Sequence, residues 1–401
     1  MSGNFRLCLV VHTIILTSKA LSLCDGKYSP YPNFLLPGLM MKGFIRYVWL
    51  FISLIPFSCI RNVDPPIRTV APQLVVEGWI TTDAPPYTIN LSYSGKFTNA
   101  YQVPKESFIT DARVSIVDDL GDSTDCAWIG NGTYQSADSN FVGKVGRSYT
   151  LKVYLSDGKI YVSSAEKIEP VPPIDSVSIT YDSSLITDVR PNQLIVSVNL
   201  RDPGGVSNFY RWTASGYVPR KSWGDSCKNF AGPCPGPFAC DCAAYCEQFQ
   251  SNNQINVLSD QYLDGKNILM HPVFYSPLYW FGSHFIEIKQ YSVSRTAYLF
   301  WEQYLAQTNR TGSILDPLPA SLTGNIYNQS DSNDIALGLF SASDVFSKKI
   351  VIVPKNLQKY WLESTAGQFI LKGGCHSVYA NTLDNDTDPQ GWGGAQEIDL
   401  Q

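Results

Sequence analysis

The chain has 401 residues, of which 44% are hydrophobic and 13% aromatic, a composition expected of sheet-rich exported proteins. Residues 60–401 carry 25 basic and 34 acidic side chains, because five of the chain's 30 bases and one of its 35 acids precede them, and their formal net charge is −9. This balance argues against nucleic acids and anionic membrane surfaces as partners, since both bind basic patches.

The first recognisable segment is an export signal at residues 41–59. Lys42 and Arg46 precede an apolar run, 47–57, which is shorter than the roughly 20 residues that span a bilayer and stops just before Cys59. This order predicts a removable lipoprotein signal peptide and a lipid anchor on Cys59. The residues just before the cysteine depart from the usual lipobox, so an ordinary cleaved signal and a membrane anchor helix are the alternatives.

The segments on either side of this signal are not expected to belong to the fold. Residues 1–40 contain a second apolar stretch, and a translation start placed too early explains them most simply. Residues 60–72 are polar and rich in proline, which predicts a tether between the lipid and the first domain.

From residue 73 apolar and polar residues alternate, which predicts half-buried β-strands. The alternation is clear at Tyr149, Leu151 and Val153, and the Asp157-Gly158 pair that follows predicts a hairpin. Short strands, glycine-rich turns and the lack of a helical pattern predict an immunoglobulin- or prealbumin-like β-sandwich over residues 73–169.

A cluster of prolines at residues 170–173 predicts the boundary with a second, larger β-rich domain at 174–374. This domain contains a cysteine-rich insertion at 224–250, and residues 375–401 are expected to form a C-terminal loop or tail. The fold class is therefore predicted to be mainly β with two domains.

One segment of the second domain changes to helical spacing. Ala297, Trp301 and Tyr304 recur at that spacing after Ser294, a residue type that caps helix N-termini. This predicts one amphipathic helix at about 294–308, whose aromatic side chains are expected to pack in the core.

Several segments, in their order and spacing, resemble the DUF4249 family of cell-envelope lipoproteins of Bacteroidetes. They include LVVEGWITTDAPPYTINLS at 74–92, GRSYTLKVYLSDGKIYVS at 146–163, KQYSVSRTAYLFWEQY at 289–304 and GLFSAS at 338–343. The resemblance implies an exported lipoprotein with an N-terminal immunoglobulin- or prealbumin-like domain, often encoded beside TonB-dependent outer-membrane receptors. It implies no established catalytic residue.

Cysteines cluster in the insertion and recur near the C-terminus. A loop rich in glycine and proline cannot stabilise itself by apolar burial, so disulfides are expected in an exported protein. The candidates are Cys227, Cys234, Cys240, Cys242, Cys246 and Cys375. Cys375 is expected to close on the loop and to leave Cys126 as a buried thiol, although spacing does not fix the connectivity.

Metal sites receive weaker support. Cys240, Cys242 and the Cys375-His376 pair offer ligands for zinc, but the paired C-x₂-C spacing of zinc sites is lacking. Asp384, Asp386 and Asp388 resemble the start of a calcium loop that lacks its glycine and its bidentate glutamate. We expect a solvated loop there, and no cofactor.

The sequence contains none of the G-x-S-x-G, H-E-x-x-H or phosphate-loop motifs. Beyond the signal only His271, His284 and His376 could act as a general base, and we expect the first two to be structural. Together with the export signal, the acidic charge and what the family resemblance implies, these observations favour a non-catalytic lipoprotein of the outer membrane, on either face. Its expected partners are the membrane, through the lipid anchor, an unknown small-molecule, glycan or peptide ligand, and a TonB-dependent nutrient-uptake receptor. A hydrolase of surface glycans or peptides and a structural or adhesive surface module are the alternatives.

Overall fold

The computed structural model describes residues 71–95, 107–182, 193–223, 243–252, 254–277, 282–309, 322–353, 371–384 and 389–398. All of them belong to one compact unit, Pro66–Gln401. The predicted upstream segment, the signal peptide with Cys59 and nearly all of the tether lie outside the described residues.

Nine strands come from the predicted first domain. They are β1 (Leu74–Thr81), β2 (Thr88–Tyr93), β3 (Ser107–Phe108), β4 (Arg113–Asp118), β5 (Ser123–Gly130), β6 (Thr133–Ser136), β7 (Ser148–Tyr154), β8 (Ile160–Ser163) and β9 (Glu166–Lys167).

The rest of the described chain adds thirteen strands and two helices. They are β10 (Ser176–Asp182), β11 (Gln193–Arg201), β12 (Phe209–Trp223), β13 (Ala243–Ser251), β14 (Asn256–Ser259), β15 (Asn267–Pro277), β16 (His284–Ser292), α1 (Arg295–Thr308), β17 (Thr323–Asn328), β18 (Asp331–Ser343), β19 (Val345–Ile352), β20 (Leu371–Lys372), α2 (Cys375–Val378), β21 (Thr382–Asp384) and β22 (Gln396–Glu397).

The first sheet closes on itself. Its nine central strands follow the order β1, β18, β17, β8, β7, β4, β5, β6 and β2, and β2 pairs again with β1. The pairing of β1 with β18 is parallel, with Val75 opposite Leu337 and Thr81 opposite Ser343. Two strands from residues 323–343 therefore complete a sheet whose other members all precede residue 168.

Alternating side chains fill the interior of this closed sheet. Val76, Ile89, Leu91, Ile116 and Leu151 are fully buried there, each on the face that the period-two pattern predicts. The Asp157-Gly158 turn joins β7 to β8 as predicted, with Gly158 at a φ of +88°.

The second half of the chain forms two sheets that pack face to face. One has the order β10, β11, β15, and the other has eight strands built around β12 and β16. Tyr210 and Trp212 of β12 pack with Val196 of β11 and Phe274 of β15 in one core. After the Asp202-Pro203-Gly204-Gly205 turn, β12 joins the sheet opposite β11, and its large aromatic side chains fill the space between the two sheets.

Helix α1 packs outside the closed sheet. Ser294 Oγ accepts a hydrogen bond from the Ala297 backbone N–H at 3.1 Å, so the predicted cap is in place. Ala297 and Phe300 are buried in a small cluster with Leu339 of β18. The helix lies between the outer face of the closed sheet and the second half of the chain.

The mainly β prediction is confirmed. The two-domain immunoglobulin-like description is not confirmed, because the N-terminal strands form a closed sheet that includes β17 and β18. The proline segment between the halves is fixed in place, with Val171 N–H donating to Asp344 Oδ2 at 2.9 Å and Gln290 Nε2 donating to the Pro172 carbonyl at 2.7 Å. In the part of the chain that the structure describes, no helix is long and apolar enough to cross a membrane.

Candidate ligand-binding cavity

Strand alternation brings two outward faces together. On β12, Tyr210 and Trp212 point into the second core, so Arg211 and Thr213 point the opposite way. On β1, Val76 and Ile80 fill the closed sheet, so Glu77 and Trp79 point outward. The space between these two faces forms a cavity of about 260 Å³.

The cavity is lined by five elements. Its walls are Glu77, Gly78, Trp79 and Thr81 of β1, Arg211 and Thr213 of β12, Tyr291 of β16 with Val293 after it, Phe300 and Trp301 of α1, and Leu339, Ser341 and Ser343 of β18. Six of these side chains are apolar or aromatic and six are polar or charged, so the cavity offers both apolar contact and groups that can fix the orientation of a small molecule.

Arg211 provides the fixed positive charge of the cavity. Its guanidinium carbon lies 4.5 Å from the centroid of the Trp301 ring and 5.7 Å from that of Tyr291, so both rings contact it through cation–π interactions. Its burial lowers the pKa of the guanidinium, while Tyr291 and Glu77 act in the opposite direction. An arginine nevertheless stays charged at neutral pH.

The donors of Arg211 have no acceptor among the described residues. Its interactions are the two ring contacts, without a hydrogen bond or an ion pair to any part of the chain that the structure describes. The neighbouring cation Lys289 is different, because its Nζ lies 2.7 Å from Asp83 Oδ2. Thr213 Oγ1 donates to the Tyr291 hydroxyl at 3.3 Å and helps to fix that ring.

Helix α1 covers one side of the cavity with the aromatic side chains of Phe300 and Trp301. Phe300 is buried against Leu339, and its ring meets the Trp301 ring edge to face with centroids 5.4 Å apart. The expectation that the aromatic side chains at helical spacing pack in the core is wrong for Tyr304, which is 40% exposed, and for Trp301, which is partly buried and lines the cavity. The buried aromatic residue of the helix is Phe300, one position before Trp301.

A second group of polar residues lies where two turns of the second half meet. One oxygen each of Asp202, Asp260 and Asp264 could contact a cation, because these atoms lie within 4.8 Å of one another. Each carboxylate also accepts a backbone N–H from the facing turn. The donors are Gly265 to Asp202 at 2.9 Å, Asn208 to Asp260 at 2.7 Å and Gly205 to Asp264 at 2.7 Å. We interpret the cluster as an acidic clasp, that is, a set of hydrogen bonds that holds the two turns together.

An open cavity of about 540 Å³ lies beside this cluster, lined in part by Asp260, Asp264 and Glu302.

Two of the predicted cysteines form a disulfide. Cys246 of β13 and Cys375 of α2 are bonded, with their Cα atoms 5.9 Å apart, and Cys126 is a buried free thiol. Burial raises the pKa of the Cys126 thiol to about 12, so it is unreactive. Cys227, Cys234, Cys240 and Cys242 lie outside the described residues.

The other predicted polar candidates do not converge on the cavity. Asp384 ends β21, where its Oδ1 lies 3.0 Å from His376 Nε2, and Asp386 and Asp388 lie outside the described residues. His284 is fully buried, and its Nδ1 lies 2.8 Å from Ser276 Oγ. His271 packs on Trp212 with ring centroids 4.4 Å apart.

Sequence reasoning missed the cavity. Arg211 lies in the segment NFYRWTA at 208–214 as one polar residue of an alternating pattern, and no spacing links it to Glu77 or Trp301. A charged residue between two large aromatic residues was the available signal, because Tyr210 and Trp212 mark the buried face and leave Arg211 on the other.

The family comparison covers this whole region. The model of a domain of unknown function, DUF4249, matches residues 60–349, which confirms the resemblance inferred from the sequence. Every residue that lines the cavity lies within the match. No curated protein matches the chain.

Proposed function

The chain belongs to the DUF4249 family, and we propose that it is a non-catalytic binding protein of the cell envelope, which holds a small ligand in the cavity under α1. The observation that carries this proposal is the set of Arg211 donors without an acceptor among the described residues. A hydrogen bond to a charged donor is stronger in a partly buried cavity than in bulk water, so a ligand that accepts from Arg211 gains more there than it would in water.

A purely structural role explains Arg211 less well. Stacking on Trp301 and Tyr291 uses the faces of the guanidinium plane and leaves its N–H groups at the edges free. Lys289, by comparison, joins the closed sheet to β16 through an ion pair with Asp83. The cavity also combines polar groups with aromatic walls, so it can both orient a ligand and cover its apolar part.

Filling the cavity tests this proposal. Ser341→Phe places a ring in the cavity, and Ser347→Phe adds the same ring at an exposed position of β19. Native mass spectrometry of protein purified from its own membranes should find a small molecule on the wild type and on Ser347→Phe, and none on Ser341→Phe. Equal retention by both variants would place the ligand elsewhere.

We also propose that Cys59 carries the lipid anchor and holds the protein at the outer membrane. The support is the order of charge, apolar run and cysteine in residues 41–59. A clickable fatty-acid analogue should label the wild type and fail to label Cys59→Ala. Labelling that survives the substitution would refute the anchor.

A TonB-dependent nutrient-uptake receptor is the partner that we propose. The support is the lipoprotein signal together with the family resemblance. Photo-crosslinking in intact outer membranes, with the probe at an exposed position such as Trp128, should recover such a receptor. Recovery of no receptor from several exposed positions would count against the partner and would leave the ligand proposal intact.

The alternative function, a hydrolase of surface glycans or peptides, has one observation in its favour. Burial raises the pKa of Asp260 beside the second cavity, and a general acid needs such a shift. Hydrolysis of a glycan or peptide library that disappears in Asp260→Asn would establish this alternative.

An adhesive module remains a third proposal for the function. We also propose an immunoglobulin- or prealbumin-like relationship for residues 73–169, which the strand alternation and tight turns support.

A further inference from the structure

The charge pattern around Arg211 limits the ligand to a single negative charge. One guanidinium faces the cavity, since Lys289 is occupied by Asp83. Glu77 lies on the β1 face of the cavity, close enough to act electrostatically on Arg211 of the β12 face, yet the two form no ion pair among the described contacts. A dianion such as a phosphate monoester would face repulsion from Glu77 with only one cation to offset it. A carboxylate matches the planar, two-pronged geometry of one guanidinium.

The remaining walls define the body of the ligand. Val293, Phe300, Trp301 and Leu339 are apolar or aromatic and face the same space as the guanidinium. A dry cavity of roughly 150 Å³ is known to hold a benzene molecule. The cavity of about 260 Å³ therefore has room for one aromatic ring and a short acidic arm.

We infer that this cavity binds a small aromatic monocarboxylate, with the carboxylate on the Arg211 guanidinium and the ring between Trp301 and Leu339. The inference rests on the proposed function, because it names the class of ligand for the same cavity. The hydroxyl of Ser341 lies on the cavity wall and is available to donate to a carboxylate oxygen.

Paired probes of equal shape and different charge test the inference. Phenylacetate and 3-phenylpropionate are compared by titration calorimetry with 2-phenylethanol, 3-phenylpropanol and 3-phenylpropylamine. Each acid should bind at least about tenfold more tightly than its alcohol, because hydrogen bonds to a charged group are worth about 1.5–3 kcal/mol. The amine should not bind measurably.

Arg211→Met and Glu77→Gln should change the affinity for the acids in opposite directions, and together they test which charge binds the carboxylate. Arg211→Met should remove the preference for the acid, whereas Arg113→Met, at an exposed arginine stacked on Tyr154, should leave it unchanged. Glu77→Gln removes the like charge at an exposed position and should tighten acid binding about two- to fivefold. The Glu77 variant keeps the test decisive even if Arg211→Met fails to fold.

The two possible failures are distinguishable. Alcohols that bind the wild type as tightly as the acids, or an acid affinity unchanged in Glu77→Gln, would overturn the carboxylate inference and leave a neutral-ligand cavity as the proposed function. Absence of binding by every probe, together with no molecule retained by the purified wild type, would overturn both.

Discussion

His271 is packed against Trp212, and its pKa is lower than that of an ordinary imidazole. Its ring lies on Trp212, its Nε2 donates to Asn256 Oδ1 at 2.7 Å, and burial lowers its pKa to about 4. In the unfolded chain the imidazole has an ordinary pKa near 6.5. Between these values the unfolded state binds the proton and the folded state does not, so the free energy of unfolding decreases as the pH falls from about 6.5 to 4.

This titration predicts a pH-dependent loss of about 2–3 kcal/mol of stability below neutral pH. Urea unfolding at a series of pH values should show the loss in the wild type and a smaller loss in His271→Gln. His376→Gln is the control, because His376 is exposed at the end of the second half. Parallel pH profiles for the wild type and His271→Gln would contradict the role given to His271.

In the cluster of Asp202, Asp260 and Asp264, the pKa of Asp260 predicts a pH dependence of stability with the opposite sign. Burial raises the pKa of this carboxyl, with Asp202 and Asp264 adding to the effect, so its ionisation at neutral pH opposes folding. The contribution of Asp260 to the free energy of unfolding is greatest below the pKa of an unfolded aspartate. It is lost as the pH rises through the higher pKa of the folded state.

Asp260→Asn should therefore raise the free energy of unfolding at pH 7, since the amide carries no charge and its oxygen can still accept the Asn208 N–H. The measurement belongs in buffer with EDTA, so that no divalent cation neutralises the cluster. Asp331→Asn is the matched control, because this exposed turn carboxylate also accepts a backbone N–H. Destabilisation by Asp260→Asn would show that the charged hydrogen bond outweighs the repulsion.

Residues with local roles were predictable, and residues with long-range roles were not. Ser294 caps the helix that follows it. The disulfide of Cys375 is a long-range exception, because only another cysteine can be its partner and the composition of the loop pointed to a cross-link. The roles of Arg211 and Asp260 depend on which strand or turn faces them across the fold. The sequence contains no local signal for those neighbours.

Among the secondary-structure elements, β18 depends on a glycine for its close approach to β1. Gly338 has a φ of +93°, and a Cβ at this position would overlap the Val76 carbonyl oxygen. Gly338→Ala should lower the free energy of unfolding by at least about 2 kcal/mol, whereas Gly393→Ala, where a Cβ meets open space, should have little effect. Chemical unfolding of the two variants provides the comparison, and a neutral Gly338→Ala would mean that β1 and β18 separate at little cost.

The C-terminal elements α2 and β21 depend on the disulfide. Cys246 and Cys375 are 129 residues apart in sequence and both are buried. Cys246→Ala with Cys375→Ala should lower the free energy of unfolding by about 3–5 kcal/mol, because the cross-link restricts a long loop of the unfolded chain. The control is a reductant, which should destabilise the wild type more than the double variant. Equal sensitivity to the reductant would assign the effect to other cysteines.

The existence of the strands could be read from the sequence better than their partners. Alternation identified β1, β2, β4, β7 and β8, because burying one face of a strand imposes a period of two. The pairings of β1 with β18 and of β17 with β8 join residues more than 150 positions apart. Such pairings depend on the closure of the whole sheet, which no short pattern encodes.

At the scale of the whole molecule, the cavity exists because the two halves are held together. The closed sheet presents β1 and β18, the second half presents β12 and β16, and α1 covers the space between them. Two contacts join the halves. Lys289 forms an ion pair with Asp83, and Asp344 accepts the Val171 N–H. The ligand site is therefore a property of the assembled fold, since its residues are contributed by strands and a helix far apart in sequence.

The most direct test of the central claim is a crystal structure of the full chain soaked with 4-bromophenylacetate, with data collected at the bromine absorption edge. We expect one strong anomalous peak inside the cavity, between Trp301 and Leu339, with the carboxylate density on the Arg211 guanidinium. A bromine peak only at other sites, or an empty cavity at saturating ligand, would contradict it.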